Sequence, residues 1–276
     1  MSNVSQEVNI NLDLVWEPAA VGLRRASTFS GLGTNAARDP NLTDFHLPGL
    51  LKLSFFKEDA SKLGEVKEQF ERWILSNAFR EVLESFAISL DRSYEVLLFV
   101  ESVRKHQEVS RKRFNSFHYA GLEGKLERLN TEFGVHAKVA DYLAPLSKAR
   151  NCLAHRMGVV GIADCTEPGI LKVRYRRIET LFLPEKGGPE QIVPADSADS
   201  FVTEGAGHIA IRFKEAETEF PLGARLVLEP IDVKYIFWTV NQSGIELKQA
   251  LLEKLREMGV LVKQKGEATI GCQATD

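Results

Sequence analysis

The feature that most constrains the fold is a long apolar pattern at helical spacing between residues 60 and 104. The apolar positions of this row are Leu63, Val66, Phe70, Trp73, Phe79, Leu83, Phe86, Leu90, Tyr94 and Leu97. Spacings of three and four residues place such side chains on one face of a helix. No Pro or Gly follows Gly64 in this segment. The pattern predicts one very long helix, or two helices joined near Ser76-Asn77.

Three further segments have helical patterns. They cover residues 121 to 133, 137 to 153 and 231 to 258. Pro145 lies in the middle of the second segment and is expected to kink it, because proline lacks the amide hydrogen that an interior helical position donates. Val8 to Trp16 alternates weakly and is expected to be a strand, and Glu17 to Pro48, rich in Gly, Asn, Asp and Ala, is expected to be a loop.

The spacing of apolar residues changes from a helical to a strand-like pattern after Gly158. Pairs such as Val173/Tyr175, Ile209/Ile211 and Leu226/Leu228 alternate with polar residues, and several glycines separate them. Alternation with period two is typical of strands, so this part predicts antiparallel β structure. Residues 185 to 200 are expected to form a mobile loop within it.

The strongest functional signal is the heptapeptide Arg150-Asn151-Cys152-Leu153-Ala154-His155-Arg156, which closes a predicted helix. An arginine offers a permanent cation, an asparagine a neutral amide, and a histidine a group that exchanges a proton near neutral pH. These are the groups that metal-free attack on an RNA phosphodiester needs. The alternative is a helix end, where basic residues and the following Met157-Gly158 satisfy the last carbonyl groups.

Arg150 itself lies in an unusual position. At about 100° per residue it falls inside the apolar row of its helix, close to Leu146, whereas Asn151 and His155 lie on another side. A guanidinium in an apolar row needs a carboxylate partner or a cleft. Glu84, Asp91 and Glu95 are the expected partners, and we expect Arg150 to be more than half buried. Arg150 and His155 point about 140° apart, so unwinding of the helix end or pairing across a dimer is needed before both address one phosphate.

The order Arg150, Asn151 and His155, with Ala154 before the histidine and Gly158 soon after it, resembles the HEPN superfamily. The resemblance implies an α-helical bundle that dimerises through the helices bearing the motif. It also implies, for many members, metal-independent endoribonuclease activity, with Arg150, Asn151 and His155 as the catalytic residues. Roles in toxin–antitoxin systems or antiviral defence follow from the resemblance alone, as does a neutralising protein partner.

Together these patterns predict an α+β protein, in which a HEPN-like helical bundle contains an inserted antiparallel β-rich segment. The expected parts are an N-terminal strand and loop extension (1–57), a helical bundle with the motif (58–157), a β-rich insertion (158–229), a closing helix (230–260) and a tail (261–276). The expected function is RNA cleavage through attack of the ribose 2′-OH. The alternative is a non-catalytic HEPN-like module that binds protein, nucleotide or nucleic acid.

Two groups of basic residues are candidate RNA contacts. Arg111, Lys112 and Arg113 precede a series of aromatic residues, a mixture suited to phosphates and stacked bases. Lys148 lies on the same side of its helix as Asn151 and His155 and is a further candidate. A second group around Tyr175 consists of Lys172, Arg174, Arg176 and Arg177. The alternatives are a solvated helix end for the first group and protection of an edge strand for the second.

Bulk properties exclude several classes of function. The net charge of −3 argues against a general nucleic-acid coat protein. No apolar run approaches the ~20 residues that span a bilayer, and the first twelve residues lack an apolar signal core, so a cytoplasmic protein without membrane contact is expected. Cys152, Cys165 and Cys272 fit neither a disulfide framework nor a zinc site. Nucleotide, zinc and serine-hydrolase motifs are missing from the sequence, and neither a cofactor nor a metal is expected.

Overall fold

A computed structural model describes residues 10–43, 60–185, 187–193 and 205–260. Within these ranges the helices are α1 (Leu12–Arg38), α2 (Leu63–Lys105), α3 (Arg111–His118), α4 (Leu122–Phe133), α5 (Leu143–Arg156) and α6 (Pro230–Glu257), and the strands are β1 (Ile170–Pro184), β2 (Gln191–Val193) and β3 (Gly207–Pro221). Helices and a small antiparallel sheet share one chain, so the α+β class is confirmed. In the described ranges, no helix has the length and apolarity to cross a membrane.

Helix α2 organises the core. Its 43 residues form a single helix, about 65 Å long at 1.5 Å per residue, rather than two joined helices. The expected core row of its second half is fully buried, notably at Phe79, Phe86, Leu90, Tyr94 and Leu97. Helices α1, α4, α5 and α6 all pack against α2.

The apolar row in the first half of α2 is not buried. Val66, Phe70 and Trp73 continue the apolar row, yet all three side chains are exposed, with 61% of Trp73 accessible to solvent. Helical periodicity shows which residues share a face, but not whether another element covers that face. The apolar row therefore lies on the surface before Leu75 and in the core from Leu75 onward.

The N-terminal expectation of a strand and a loop is wrong for the described residues, because Leu12 to Arg38 form helix α1. The Asn11 side chain caps it by accepting a hydrogen bond from the Asp13 amide at 3.0 Å. The glycines that suggested a loop serve helix packing instead. A Cβ at Gly22 would collide with Ser85 of α2, and one at Gly33 would collide with Ile74. Small residues at these positions let α1 lie close along α2.

A polar network holds α3 and α4 against α2. The Tyr94 hydroxyl donates to Glu132 at 2.7 Å, and Arg113 and Arg128 donate to the same carboxylate at 2.6 and 2.7 Å. Burial by itself would raise the pKa of Glu132, but these hydrogen bonds outweigh it and lower this pKa to about 2. Glu132 is therefore charged at neutral pH, and its hydrogen bonds link α4 to α2 and α3.

The expected kink in the motif helix is wrong. Lys138 to Tyr142 form a short 3-10 turn, and α5 begins only at Leu143. Pro145 therefore lies in the first turn of α5, where the amide hydrogen that proline lacks would have no partner within the helix. Helix α5 then runs regularly to Arg156.

The β-rich segment between α5 and α6 is an antiparallel sheet of order β2-β1-β3 in the described residues. Leu171, Val173 and Tyr175 on β1 are buried against the helices. The expectation of strand structure at Leu226 and Leu228 is wrong, because both lie in an irregular segment although both are buried. Part of the expected loop at 185–200 forms β2, and 194–204 lie outside the described residues.

Helix α6 packs against α1, α2 and β1, and a helix in this part of the chain agrees with the sequence pattern at 231–258. The Thr239 hydroxyl accepts a hydrogen bond from the Arg176 amide at 2.8 Å, and the Tyr235 hydroxyl donates to the Ile178 carbonyl at 3.1 Å. These bonds satisfy part of the β1 edge that β2 does not reach. The expected tail from residue 261 lies outside the described residues.

Candidate functional site

The heptapeptide occupies the last two turns of α5. The helix ends at Met157, which has the left-handed backbone angle φ 51°, and Gly158 follows with φ 80°. The Gly158 amide donates to the Cys152 carbonyl at 3.1 Å, which is a common way to close a helix. Helix capping therefore accounts for Met157-Gly158, but not for the side chains of Arg150, Asn151 and His155.

Arg150 forms an ion pair with Glu84, one of the three carboxylates expected to be its partner. Its side chain is 27% exposed, and its Nη2 lies 2.5 Å from Glu84 Oε1. The other two expected carboxylates are not its partners in the described structure, since Asp91 instead pairs with Lys125 at 2.6 Å and His118 at 3.1 Å. Arg150 is thus more than half buried and held on α2 by one carboxylate.

Asn151 contacts Arg150 and lies one helical turn before His155. The Arg150 Nη1 donates to Asn151 Oδ1 at 3.0 Å, and His155 lies one helical turn beyond Asn151. His155 is exposed, and its ring makes no hydrogen bond to any described residue. Because α5 stays helical to Arg156, the Cα–Cβ bonds of Arg150 and His155 still point about 140° apart. The three residues form a strip, which we call the motif strip, rather than a closed pocket.

The second arginine of the heptapeptide has a different environment. Arg156 forms a two-pronged ion pair with Asp164, with Nε at 2.6 Å from Oδ2. The Asp164 side chain is only 1% exposed and also accepts the Gly161 amide at 2.9 Å. Arg156 therefore fixes the turn that follows the motif.

Cys152 lies beneath this ion pair and is fully buried. Burial, followed by the nearby Asp164 carboxylate, raises the pKa of the Cys152 thiol to about 11. The side chain is therefore a neutral thiol at pH 7, so it is a poor nucleophile.

The candidate RNA contacts do not gather around the motif strip. Lys148 is close to it, but its ammonium donates to the Cys165 carbonyl at 2.9 Å. Arg113 is occupied by Glu101 and Glu132, both at 2.6 Å, while Arg111 and Lys112 are exposed. Glu101 follows Glu84 by 17 residues on α2, so the Arg111–Arg113 group lies about 25 Å from Arg150.

Three of the four basic residues of β1 lie opposite carboxylates, and the fourth, Arg177, lies opposite Lys214. Lys172, Arg174 and Arg176 lie directly opposite Glu219, Glu217 and Glu215 on β3. Hydrogen bonds from Lys172 to Glu219, Glu167 and Glu217 raise its pKa. This alternating pattern stabilises the hairpin through cross-strand pairs and leaves little net positive charge for RNA.

Sequence reasoning missed a cleft beside the motif strip. It has a volume of about 760 Å³ and lies between the first half of α2 and the segment 225–228, with Leu153 and Met157 of the motif region in its wall. Its arginines are Arg72, Arg80 and Arg225, and its exposed aromatic residue is Trp73. The signal in the sequence was the apolar row at Val66, Phe70 and Trp73, interleaved with charged residues, which we expected to be core.

Comparisons with known proteins do not assign this chain to a family. Protein-family models, curated proteins and solved structures all gave no match. The resemblance to HEPN proteins therefore rests only on the order of these residues in the sequence.

Proposed function

We propose that this protein is a metal-independent endoribonuclease of the HEPN type. The observation that carries the proposal is the motif strip, in which Arg150 is held by Glu84 and Asn151 while His155 remains exposed and unpaired within the described structure. Arg156, by contrast, is fully engaged with a buried carboxylate. Only one arginine of the heptapeptide is therefore placed to meet a phosphate.

Each residue of the strip has a chemical role in this proposal. The ribose 2′-oxygen attacks phosphorus, the bond from phosphorus to the 5′-oxygen breaks, and a proton moves from the 2′-OH to the departing 5′-oxygen. His155 takes or delivers that proton, Arg150 offsets the charge that develops on the phosphate, and Asn151 orients the phosphate or the imidazole. Because Arg150 and His155 of one helix point about 140° apart, the two residues that act on one phosphate come from the two copies of a dimer. The products are a 2′,3′-cyclic phosphate and a 5′-hydroxyl.

Glu84 is a ground-state partner of Arg150 in this mechanism. Its side chain is 46% exposed, so a phosphate can replace it at the guanidinium while the carboxylate returns to water. An arginine has five N–H donors, and the contacts to Glu84 and Asn151 leave others for an RNA oxygen. Arg150 can therefore bind phosphate without unfolding α5.

A second copy of the chain would bring the two strips together. Lys148 binds the Cys165 carbonyl, which places the turn at 162–164 on the Asn151 and His155 side of α5. Ile162 in that turn is 82% exposed, and Val159 is exposed as well. Exposed apolar side chains beside a polar strip are typical of an interface.

We therefore expect a homodimer whose two copies of α5 frame one cleft. Sedimentation velocity at micromolar concentration should give the mass of two chains, and Ile162→Asp should shift the protein to the mass of one chain. Ile209→Asp is the matched control, because Ile209 is also an exposed apolar residue but lies at the opposite end of β3, beside Phe182. A wild-type monomer would contradict the dimer.

The direct test of the activity is incubation of the pure protein with end-labelled RNA in excess EDTA. We expect cleavage, with 2′,3′-cyclic phosphate ends, because the proposed reaction uses only side chains. Cleavage should weaken as salt rises, since phosphate contacts hold the substrate. If a broad panel of RNAs stays intact, the nuclease proposal fails, and a non-catalytic binding module takes its place.

A further inference from the structure

The cleft beside the motif strip has a composition that suits a nucleotide. Its volume of about 760 Å³ is within the range of small-molecule sites, which is roughly 300 to 1,000 Å³. One wall is the first half of α2, and the other is the segment 225–228 with Leu153 and Met157. It combines cationic, aromatic and apolar side chains, as single-stranded RNA sites do.

The charges of the cleft favour an anion. Arg72, Arg80 and Arg225 line it, against Glu65 and Glu68. Glu68 lies 3.5 Å from Arg72, so that pair is neutral, whereas Arg225 is exposed and forms no ion pair within the described residues.

Arg80 has capacity left for a ligand. It lies 3.9 Å from Glu84, a long ion pair, and its side chain is 38% exposed. An arginine has five N–H donors, so exposed donors of Arg80 remain for an anionic ligand.

Trp73 provides a flat apolar surface at the same place. The indole is mostly exposed, and it stacks on Phe70 with ring centroids 6.5 Å apart and an interplanar angle of 21°. The neighbouring ring limits the motion of the indole, so its outer face is already oriented for stacking. A nucleobase stacks on such a face whatever its sequence.

An ion-pair contact and backbone hydrogen bonds link the cleft to the motif strip and to the turn after it. Glu84 contacts Arg80 of the cleft and Arg150 of the strip, so one carboxylate separates the two sites. On the opposite wall, the Leu226 amide donates to the Gly158 carbonyl at 2.7 Å, and Val160 donates to Ala224 at 2.9 Å. The wall that carries Arg225 is therefore fastened to the turn after the motif.

We infer that this cleft binds one unpaired nucleotide of an RNA strand next to the phosphate that the motif strip cleaves. The base stacks on Trp73, and a backbone phosphate contacts Arg80 and Arg225. The inference rests on the proposed function for its ligand. It specifies single-stranded RNA, because a base within a duplex cannot reach the indole.

The test measures binding without cleavage. The probe is a fluorescently labelled, single-stranded 2′-O-methyl oligonucleotide, which lacks the attacking hydroxyl, and its affinity for the intact chain is followed by anisotropy. Trp73→Ala and Arg225→Ala should each weaken binding roughly tenfold, and Arg225→Ala should also lower the salt dependence by about one phosphate contact. Phe99→Ala and Arg104→Ala are the controls, because both residues are exposed near the C-terminal end of α2, far along the helix from Trp73.

The outcomes separate this inference from the proposed function. If the wild type binds the probe and both cleft variants bind it equally well, the cleft is not the RNA site, whatever the cleavage assay shows. Binding that depends on Trp73 and Arg225 without any cleavage supports the cleft and refutes the nuclease. If the wild type does not bind the probe, the inference is overturned. If Trp73→Ala converts a dimer to a monomer, the cleft is part of an interface between two chains, and the inference is overturned as well.

Discussion

Replacing His155 by alanine is expected to reduce RNA cleavage at least about 100-fold, since a positioned acid or base contributes roughly 10² to 10⁴ in rate. The fold should not change, because His155 is exposed, makes no hydrogen bond to the described residues and is replaced by a good helix former. The measurement is the initial cleavage rate in EDTA, with circular dichroism and thermal unfolding as checks on structure.

His136→Ala is the matched control for this variant. His136 is also an exposed histidine, but it lies before the 3-10 turn that precedes α5, outside the motif strip. Its replacement should leave the cleavage rate within about twofold, which is small beside the 10²-fold loss expected for an acid or base. Equal rates for the wild type and His155→Ala would refute a role of His155 in the chemistry.

Replacing Arg156 by alanine is expected to destabilise the protein by roughly 3 kcal/mol, the scale of a buried ion pair that loses one partner. The loss leaves Asp164, which is almost completely buried, without a cationic partner in the described structure; only neutral groups, the Gly161 amide and the Cys152 thiol, remain beside it. Urea unfolding followed by circular dichroism measures the change as a lower midpoint.

Arg150→Ala provides the comparison, since it removes the other arginine of the heptapeptide. Its partner Glu84 is about half exposed and remains hydrated when Arg150 is lost. The expected cost is about 1 kcal/mol or less. If both variants unfold at the same urea concentration, the division into a structural and a functional arginine is wrong.

The helices show which structural features can be predicted from local sequence patterns and which cannot. Helices α2, α4 and α6 were predicted close to their observed bounds because apolar spacing, with no Pro or Gly after Gly64 in α2, is a local property of the chain. Helix α1 was missed for the opposite reason. Gly22 and Gly33 are usual in loops, and their purpose, close contact with Ser85 and Ile74, depends on a neighbour about 40 to 60 residues away.

In the candidate site, too, some features could be predicted from the sequence and others could not. The position of Arg150 in an apolar row required a carboxylate, and this was deducible from the sequence because burying an unpaired charge is costly. The choice of Glu84 over Asp91 was not, since Asp91 is taken by Lys125 and His118 from α4 and α3. Likewise, Arg113 looked available for RNA until folding placed Glu101 and Glu132 beside it.

The sequence by itself determined the α+β class, the long central helix, the place of the motif at the end of a helix and the need of Arg150 for a partner. These follow from periodicity, charge and propensity within short stretches of chain. Only the tertiary structure decided that Arg156 is structural, that the row at Val66, Phe70 and Trp73 is surface, and that a cleft opens beside the motif strip. Each of these depends on which distant segment covers a side chain, and burial and pairing between remote residues are set by the packing of the whole chain rather than by any local pattern.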